Sequence, residues 1–378
     1  MSEWPLPDVD PKENGFDPDR LERITRLVGG YIDKEYAAGA IAAVVRNFGM
    51  QHREKKQPMA DDTIFRLYSM SKPVTAVAVL MLYEEGYYFL DEPVKRFMPV
   101  LGAARVKVEK PDGTSGLLPL VRDITILDLL NHTSGITYEG FHEAEKDGST
   151  LEQFVSRYDT IPLLHQPRTQ WHYGASSDVL GYLVELVSGM PYDEFLQERI
   201  FSPLGMTDTG FWVPQEKQDR FGIRYKQTAD RKLLPMNEED REYFVRPALP
   251  SGGGGLVGTA SDYLRFCQML LNNGEFDGTR ILGRKTVELM RQDHLPPGHG
   301  PIMPFRFGYG LGVSVIRSLA EKQGICSVGE FNWGGAASTD IWIDPAENMV
   351  TMIMMQLRPN FTQMLTKKVH DAAYQALV

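Results

Sequence analysis

Apolar residues recur at helical spacing between Asp17 and Ala38, at Leu21, Ile24, Leu27, Val28 and Ile32, which predicts a helix near the start of the chain. Ala40–Val45 is apolar and β-like, and Thr63–Tyr68 predicts a second short strand that ends at Ser69. From Ser69 to Glu85 the residues favour a helix. Pro73 falls in its first turn, where the missing N–H costs little, and Gly86 stands just past its end. That helix is apolar nearly all round, so it is expected to be buried.

The pattern changes after residue 86. Ile126–Leu130, Leu151–Tyr158 and Asp178–Ser188 predict short helices joined by loops rich in proline and glycine. Glu216–Arg246 is polar, charged and weakly periodic, which predicts a long surface excursion. Ser261–Asn272 predicts an amphipathic helix capped by Ser261. Gly310–Val315, Ser338–Ile343 and Asn348–Gln356 follow as strands, and Phe361–Leu377 closes the chain as a helix. Strands near both ends most easily share one antiparallel sheet with the terminal helices covering a face, an α/β (α+β) fold. Residues 1–86 and 250–378 would then form a discontinuous sheet domain and residues 87–249 a mostly helical one, with a pocket at the seam. Gly252–Gly255 lacks a following Gly-Lys-Ser/Thr, so it is expected to be a flexible loop beside the pocket rather than a phosphate cradle.

Composition narrows the function. The 378 residues are 42% hydrophobic and 24% charged, ample for a core and unlike a disordered or collagen-like chain. Forty Lys and Arg against 50 Asp and Glu leave a net charge of −10, which repels phosphate and argues against nucleic-acid or anionic-membrane partners. Cys267 and Cys326 are the only cysteines; they lack metal-site spacing, and a disulfide would have to be one long-range pair. Met1-Ser2-Glu3-Trp4-Pro5 lacks the basic start and apolar core of an export signal, and the run Val74–Tyr83 is too short to span a bilayer. A soluble cytoplasmic protein is expected.

Three segments carry candidate chemistry. In Ser69-Met70-Ser71-Lys72, positions three apart share a helix face, so the lysine amine can reach the serine hydroxyl. A seryl oxygen needs a base to become a nucleophile, and burial against the apolar helix is expected to disfavour the charged form of Lys72. Tyr173 lies in the turn-rich stretch from Pro167 to Asp178, where a phenol can relay a proton between nucleophile and leaving group. In Asn332-Trp333-Gly334-Gly335-Ala336, paired glycines let a substrate approach the backbone, and an amide there can face an oxyanion together with the Ser69 amide. The absence of Gly-x-Ser-x-Gly and of His-Glu-x-x-His argues against an α/β-hydrolase and a metallohydrolase; no metal or cofactor is called for.

Together these segments resemble the serine β-lactamase-like superfamily, in the branch of class C β-lactamases and family VIII carboxylesterases. The resemblance spans nearly the whole chain. It rests on Thr63–Pro73, Ile126–Ile136, Phe201–Met206, Gly308–Gly312 and the Trp333-Gly334-Gly335 segment, in the family's order. It implies a β-lactamase/transpeptidase-like fold in which Ser69 is acylated, Lys72 is its base and Tyr173 assists proton transfer. It also implies an oxyanion hole from the Ser69 and Ala336 amides. Trp333, Gly334 and Gly335 fall where lactamases carry Lys-Thr-Gly, and Ala175 replaces the asparagine of Tyr-x-Asn; these four are the expected substrate-binding positions. Losing that lysine and that amide favours uncharged acyl esters over lactams. The expected activity is hydrolysis of small-molecule, short-chain esters. Acyl transfer to a small-molecule alcohol, β-lactamase or D-aminopeptidase activity, and a non-catalytic binding member of the fold are the alternatives. The family's paired N-terminal strands are joined by a turn, whereas Ala43–Val45 runs straight into Arg46-Asn47-Phe48-Gly49, so a shortened hairpin or a gap is expected there.

Overall fold

A computed structural model describes the chain outside residues 1–3, 48, 56–58, 110–112, 229, 231, 237–241, 300–301, 303–305 and 360–363. Seven strands form its main sheet: β1 (Ile41–Arg46), β2 (Gly49–Lys55), β3 (Gly308–Tyr309), β4 (Ser314–Val315), β5 (Phe331–Gly335), β6 (Thr339–Asp344) and β7 (Met349–Met354). Their spatial order is β3-β4-β5-β6-β7-β1-β2, with antiparallel neighbours throughout. The expected pairing of strands from the two ends of the chain is present, since β1 pairs with β7 from Ile41↔Met354 to Arg46↔Met349.

Side chains alternate across β1, which is paired on both edges. Ile41, Ala43 and Val45 face the larger core, whereas Ala42 and Val44 pack beneath the terminal helices α1 (Pro18–Ile32) and α5 (Leu365–Gln375). With both faces covered, β1 reads as an unbroken apolar run. Helix α1 begins where Asp17 accepts from the Asp19 and Arg20 amides with Pro18 in the first turn, and it buries Leu21, Ile24 and Val28. Helix α5 places Leu365, Val369, Ala372 and Ala373 in the same cluster. The start expected for that helix at Phe361 lies outside the described residues.

On the other face runs α2 (Ser71–Glu84), buried without interruption from Ser71 to Leu82 and ended by Gly86 at φ +81°. Each fully buried aliphatic side chain there contributes about 1.5–3 kcal/mol, so the helix is anchored on all sides. It packs against α3 (Ser176–Ser188), and α4 (Ala260–Leu271) lies against β6 and β7.

Several expectations need correction. At the N-terminal hairpin, by contrast, the shortened form is the alternative found, not a gap: β1 and β2 are antiparallel with Arg46↔Gly49 in register, and Asn47 at φ +52° takes the left-handed conformation a tight reversal needs. Asn47 is a residue type that adopts this conformation readily, and with Gly49 two positions on it is the turn signal in the sequence. The cap of α4 is Thr259, whose hydroxyl accepts from the Asp262 amide, not Ser261. Of the expected strand Gly310–Val315 only Ser314–Val315 is extended, as β4, and residues 310–313 make the reversal from β3. Trp333, given no element from the sequence, lies within strand β5. The excursion 216–246 contributes Tyr225–Gln227 and Leu233–Pro235 to a small sheet with Leu357–Arg358, and Arg224 within it is buried. Both cysteines are free. Among the described residues no helix is long and apolar enough to cross a membrane.

Candidate active site

Ser69 sits in a single 3-10 turn, Tyr68–Met70, that leads directly into α2. Phe65–Arg66 pairs with Val257–Gly258 and delivers the chain to this turn. Tyr68 adopts φ +46°, a left-handed conformation that costs a residue with a side chain about 1–3 kcal/mol. Three contacts hold it. Ser71 Oγ donates to the Tyr68 carbonyl at 2.7 Å, Arg224 donates to the Tyr68 hydroxyl at 2.5 Å, and the Arg358 guanidinium lies 5.7 Å from the ring centre. The nucleophile candidate thus projects from a rigid, strained turn and remains half-exposed.

Two side chains converge on it. The Tyr173 hydroxyl donates to Ser69 Oγ at 2.8 Å, and Lys72 Nζ lies 3.3 Å from the same oxygen. Lys72 is 1% exposed, and its ammonium also donates to the Gly253 carbonyl at 2.6 Å and lies 4.6 Å from the centre of the Tyr173 ring. The three residues that the sequence singled out therefore meet at one oxygen atom.

The charge of Lys72 differs from expectation. Burial on its own works against the ammonium, but Tyr173, Tyr138 and the Asp178 carboxylate outweigh it and hold the lysine above its ordinary value. The resting amine is therefore cationic at neutral pH. His132, fully buried nearby, is held neutral by burial and by the Lys72 charge. Burial likewise pushes the Tyr138 phenol up.

Strand β5 closes one side of the site. A Cβ on Gly335 would collide with the Leu67 carbonyl oxygen, so only glycine lets this strand lie against the nucleophile turn. Ala336, whose amide is an oxyanion-hole candidate, follows directly. Trp333 is half-buried, with its ring 5.6 Å from Tyr173, 5.2 Å from Tyr309 and 6.0 Å from Phe307. Trp171 stacks on Tyr173 at 6.0 Å, which extends this aromatic wall. Gly334 faces the other way, with the Asp340 carboxyl lying over its Cα. Ala175 is a correction: its side chain is fully buried in the core at the N-terminus of α3, so it offers the cleft no surface.

Sequence reasoning missed Tyr138, Tyr309, Trp171 and Asp178. It also misread Gly252–Gly255, which is not a loose border. Gly253 accepts from Lys72 and donates to Asp178 at 2.9 Å, and Thr75 donates to the Gly252 carbonyl at 2.6 Å. A glycine run marks close backbone approach as readily as mobility, and the polar residues that it would bond were the signal available. A separate cavity of about 600 Å³, lined by Phe201, Phe211, Trp212 and Lys217 among others, includes none of Ser69, Lys72 and Tyr173. Among the described residues no group of three or more His, Cys, Asp or Glu side chains is placed to hold a metal ion.

Comparison with known proteins places this geometry. The family model described as Beta-lactamase matches residues 26–375. Esterase EstB of Burkholderia gladioli is 30% identical over 373 residues, covering 89% of this chain and 90% of its own. Monacolin J acid methylbutanoyltransferase of Aspergillus terreus is 31% identical over 333 residues, covering 80% and 79%. Among solved structures, one described as EstCE1, a hydrolase with promiscuous acyltransferase activity, superposes with a TM-score of 0.80 at 26% identity, covering 94% of this chain and 99% of its own. The fold is accordingly β-lactamase/transpeptidase-like, and the chain belongs to the beta-lactamase family, among relatives that include esterases and acyltransferases.

Proposed function

We propose that this protein is a serine carboxylesterase that cleaves short-chain acyl esters of small molecules through an acyl-enzyme on Ser69. The observation that carries the reading is the convergence of the Tyr173 hydroxyl and Lys72 Nζ on Ser69 Oγ, at 2.8 and 3.3 Å. Because Lys72 is cationic at rest, the reactive form is the one in which its own amine has given up a proton and stands neutral beside Ser69. Ser69 Oγ then attacks the ester carbonyl, and its proton passes to Lys72. The Ser69 and Ala336 amides receive the oxyanion, an interaction whose loss typically costs about 10²–10³ in rate. As the intermediate collapses, the C–O bond to the alcohol breaks and Tyr173 with Lys72 returns the proton to the leaving alkoxide. Water attacks the acyl-enzyme by the same route in reverse, releasing the acid and free Ser69.

Trp333 forms the wall against which the substrate lies, flat and uncharged where a lactamase would offer a lysine, and Gly335 beside it lets the strand approach the nucleophile turn. That composition favours neutral esters over β-lactams. Residues 1–86 with 250–378 would make up the sheet domain and residues 87–249 the helical one, with substrate entering at their seam. Ser69→Ala should abolish turnover of p-nitrophenyl butyrate and covalent labelling by a fluorophosphonate. A variant that kept near-normal turnover would refute the assignment.

A second reading, acyl transfer to a small-molecule alcohol in place of water, is favoured by the relatives described as a methylbutanoyltransferase and a hydrolase with promiscuous acyltransferase activity. Product analysis in the presence of acceptor alcohols separates the two, because a dedicated transferase outpaces its own hydrolysis.

A further inference from the structure

We infer that Asp178 is a positioning residue that fixes the place and the charge of Lys72, acting through Gly253. This rests on the reading of Ser69 and Lys72 given above and adds to it a residue that touches neither the substrate nor the nucleophile.

The geometry is a relay. Asp178 lies in the first turn of α3 and is fully buried. Its Oδ1 accepts from Ser251 Oγ at 2.6 Å and from the Gly253 amide at 2.9 Å. The carbonyl of the same glycine accepts from Lys72 Nζ at 2.6 Å. The loop is pressed onto the start of α3 so closely that a Cβ on Gly253 would lie 2.6 Å from Asp178 Oδ2, and one on Gly252 would lie 2.5 Å from the Ser177 carbonyl oxygen. No shift of the loop is open without moving the carboxyl, and none of the carboxyl without moving the amine's strongest tether.

The second carboxyl oxygen supplies the independent argument. Oδ2 is buried and accepts no hydrogen bond from the described residues. Leaving a buried polar atom without a donor costs about 1–3 kcal/mol, and an asparagine or serine could hold Ser251 and Gly253 without burying a charge. A carboxylate is worth burying here for its charge. The groups facing Lys72 are Tyr138, Tyr173 and His132, and those within electrostatic reach of Asp178 are Tyr158, Tyr192 and Glu145. Burial keeps Tyr138, Tyr158 and Tyr192 as neutral phenols and His132 as a neutral imidazole. Asp178 is the buried carboxyl that faces the Lys72 ammonium, and it favours the charged amine. Burial pushes that carboxyl up, and the ammonium with the Ser251 and Gly253 donors pulls it back.

Removing this charge makes it easier for Lys72, beside Tyr173, to lose its proton. The test is the rate of fluorophosphonate labelling of Ser69 from pH 7 to 12 in short pulses, read by intact mass, for the wild-type protein and Asp178→Asn, a window that reaches above the ordinary lysine value of 10.5. Labelling forms the Oγ–P bond, expels fluoride and sends the Ser69 proton to Lys72. We expect the midpoint of the rising limb to move to lower pH by about one unit in the variant, with a maximal rate reduced roughly tenfold as the tether loosens. A folded Asp178→Asn whose midpoint coincides with that of wild type overturns the role, because packing alone would lower the rate without moving the limb. Asp178→Ser, smaller and able to bond Ser251 and Gly253, is read the same way if the amide does not fold. Wild-type protein that fails to label at Ser69 defeats the acyl-enzyme reading itself, so the two failures are distinct.

Discussion

Lys72 Nζ lies 2.6 Å from the carbonyl oxygen of Gly253 and 3.3 Å from Ser69 Oγ, its neighbour one helical turn away. The amine is held more closely by a loop 181 residues downstream than by the hydroxyl it is placed to activate. That arrangement fixes the amine from behind, leaving the Ser69 side free to exchange a proton. It also stabilises the ammonium, so with Lys72 as the proposed base, activity is expected to rise with pH as the amine loses its proton.

Tyr173→Phe removes the only donor that Tyr173 offers Ser69, while the ring still fills the space between Trp171 and Trp333. The tether of Lys72 to Gly253 is untouched. We expect kcat for p-nitrophenyl butyrate to fall by roughly 10²–10⁴, with KM and the thermal midpoint little changed. Steady-state kinetics and a circular-dichroism melt check both halves, and unchanged kcat would remove Tyr173 from the proton path.

Gly335→Ala places a methyl group against the Leu67 carbonyl oxygen, where backbone rather than a yielding side chain stands in the way. Strand β5 must then retreat from the nucleophile turn, taking the Ala336 amide with it. We expect kcat to fall about 10²-fold or more while fluorophosphonate labelling is slowed to a similar extent. Normal labelling in this variant would show that the amide of Ala336 has no part in holding the oxyanion.

A different pH dependence governs stability. His370 on α5 is nearly fully buried, with Nε2 2.9 Å from Glu330 Oε2. The Tyr374 hydroxyl donates to the same oxygen at 2.5 Å and also contacts Asp344. Burial alone would lower the histidine, but the Glu330 carboxylate and Asp371 push it up to about 9. A value raised above the ordinary 6.5 stabilises the fold fully below pH 6.5, and that contribution is lost as pH rises through 9. The amount at stake is on the order of 3 kcal/mol. The wild-type thermal midpoint should therefore fall between pH 7 and about 9.5, and His370→Asn should start lower and lose that slope. A wild-type midpoint flat across this window would show that the histidine is not charged in the folded protein.

Much of this molecule is written locally. Leu21, Ile24 and Val28 at helical spacing, the apolar run at β1, and Pro73 and Gly86 bracketing α2 each depend on near neighbours, because backbone propensity and periodicity are short-range. The same holds for Ser69 and Lys72, which one helical turn brings together. The fold class followed, since strands at both ends of the chain have few ways to bury their apolar faces. What only the tertiary structure decided is of another kind. Ala175 proved to be core, because the first turn of α3 points its methyl inward. The charge of Lys72 reversed expectation because burial and Coulomb attraction oppose each other, and the attracting groups, Tyr138, Tyr173 and Asp178, come from distant parts of the chain. The run Gly252–Gly255 reads as mobile until Lys72 and Asp178 are seen bonded to it. Charge and close approach depend on distances in space, and sequence neighbours do not encode them.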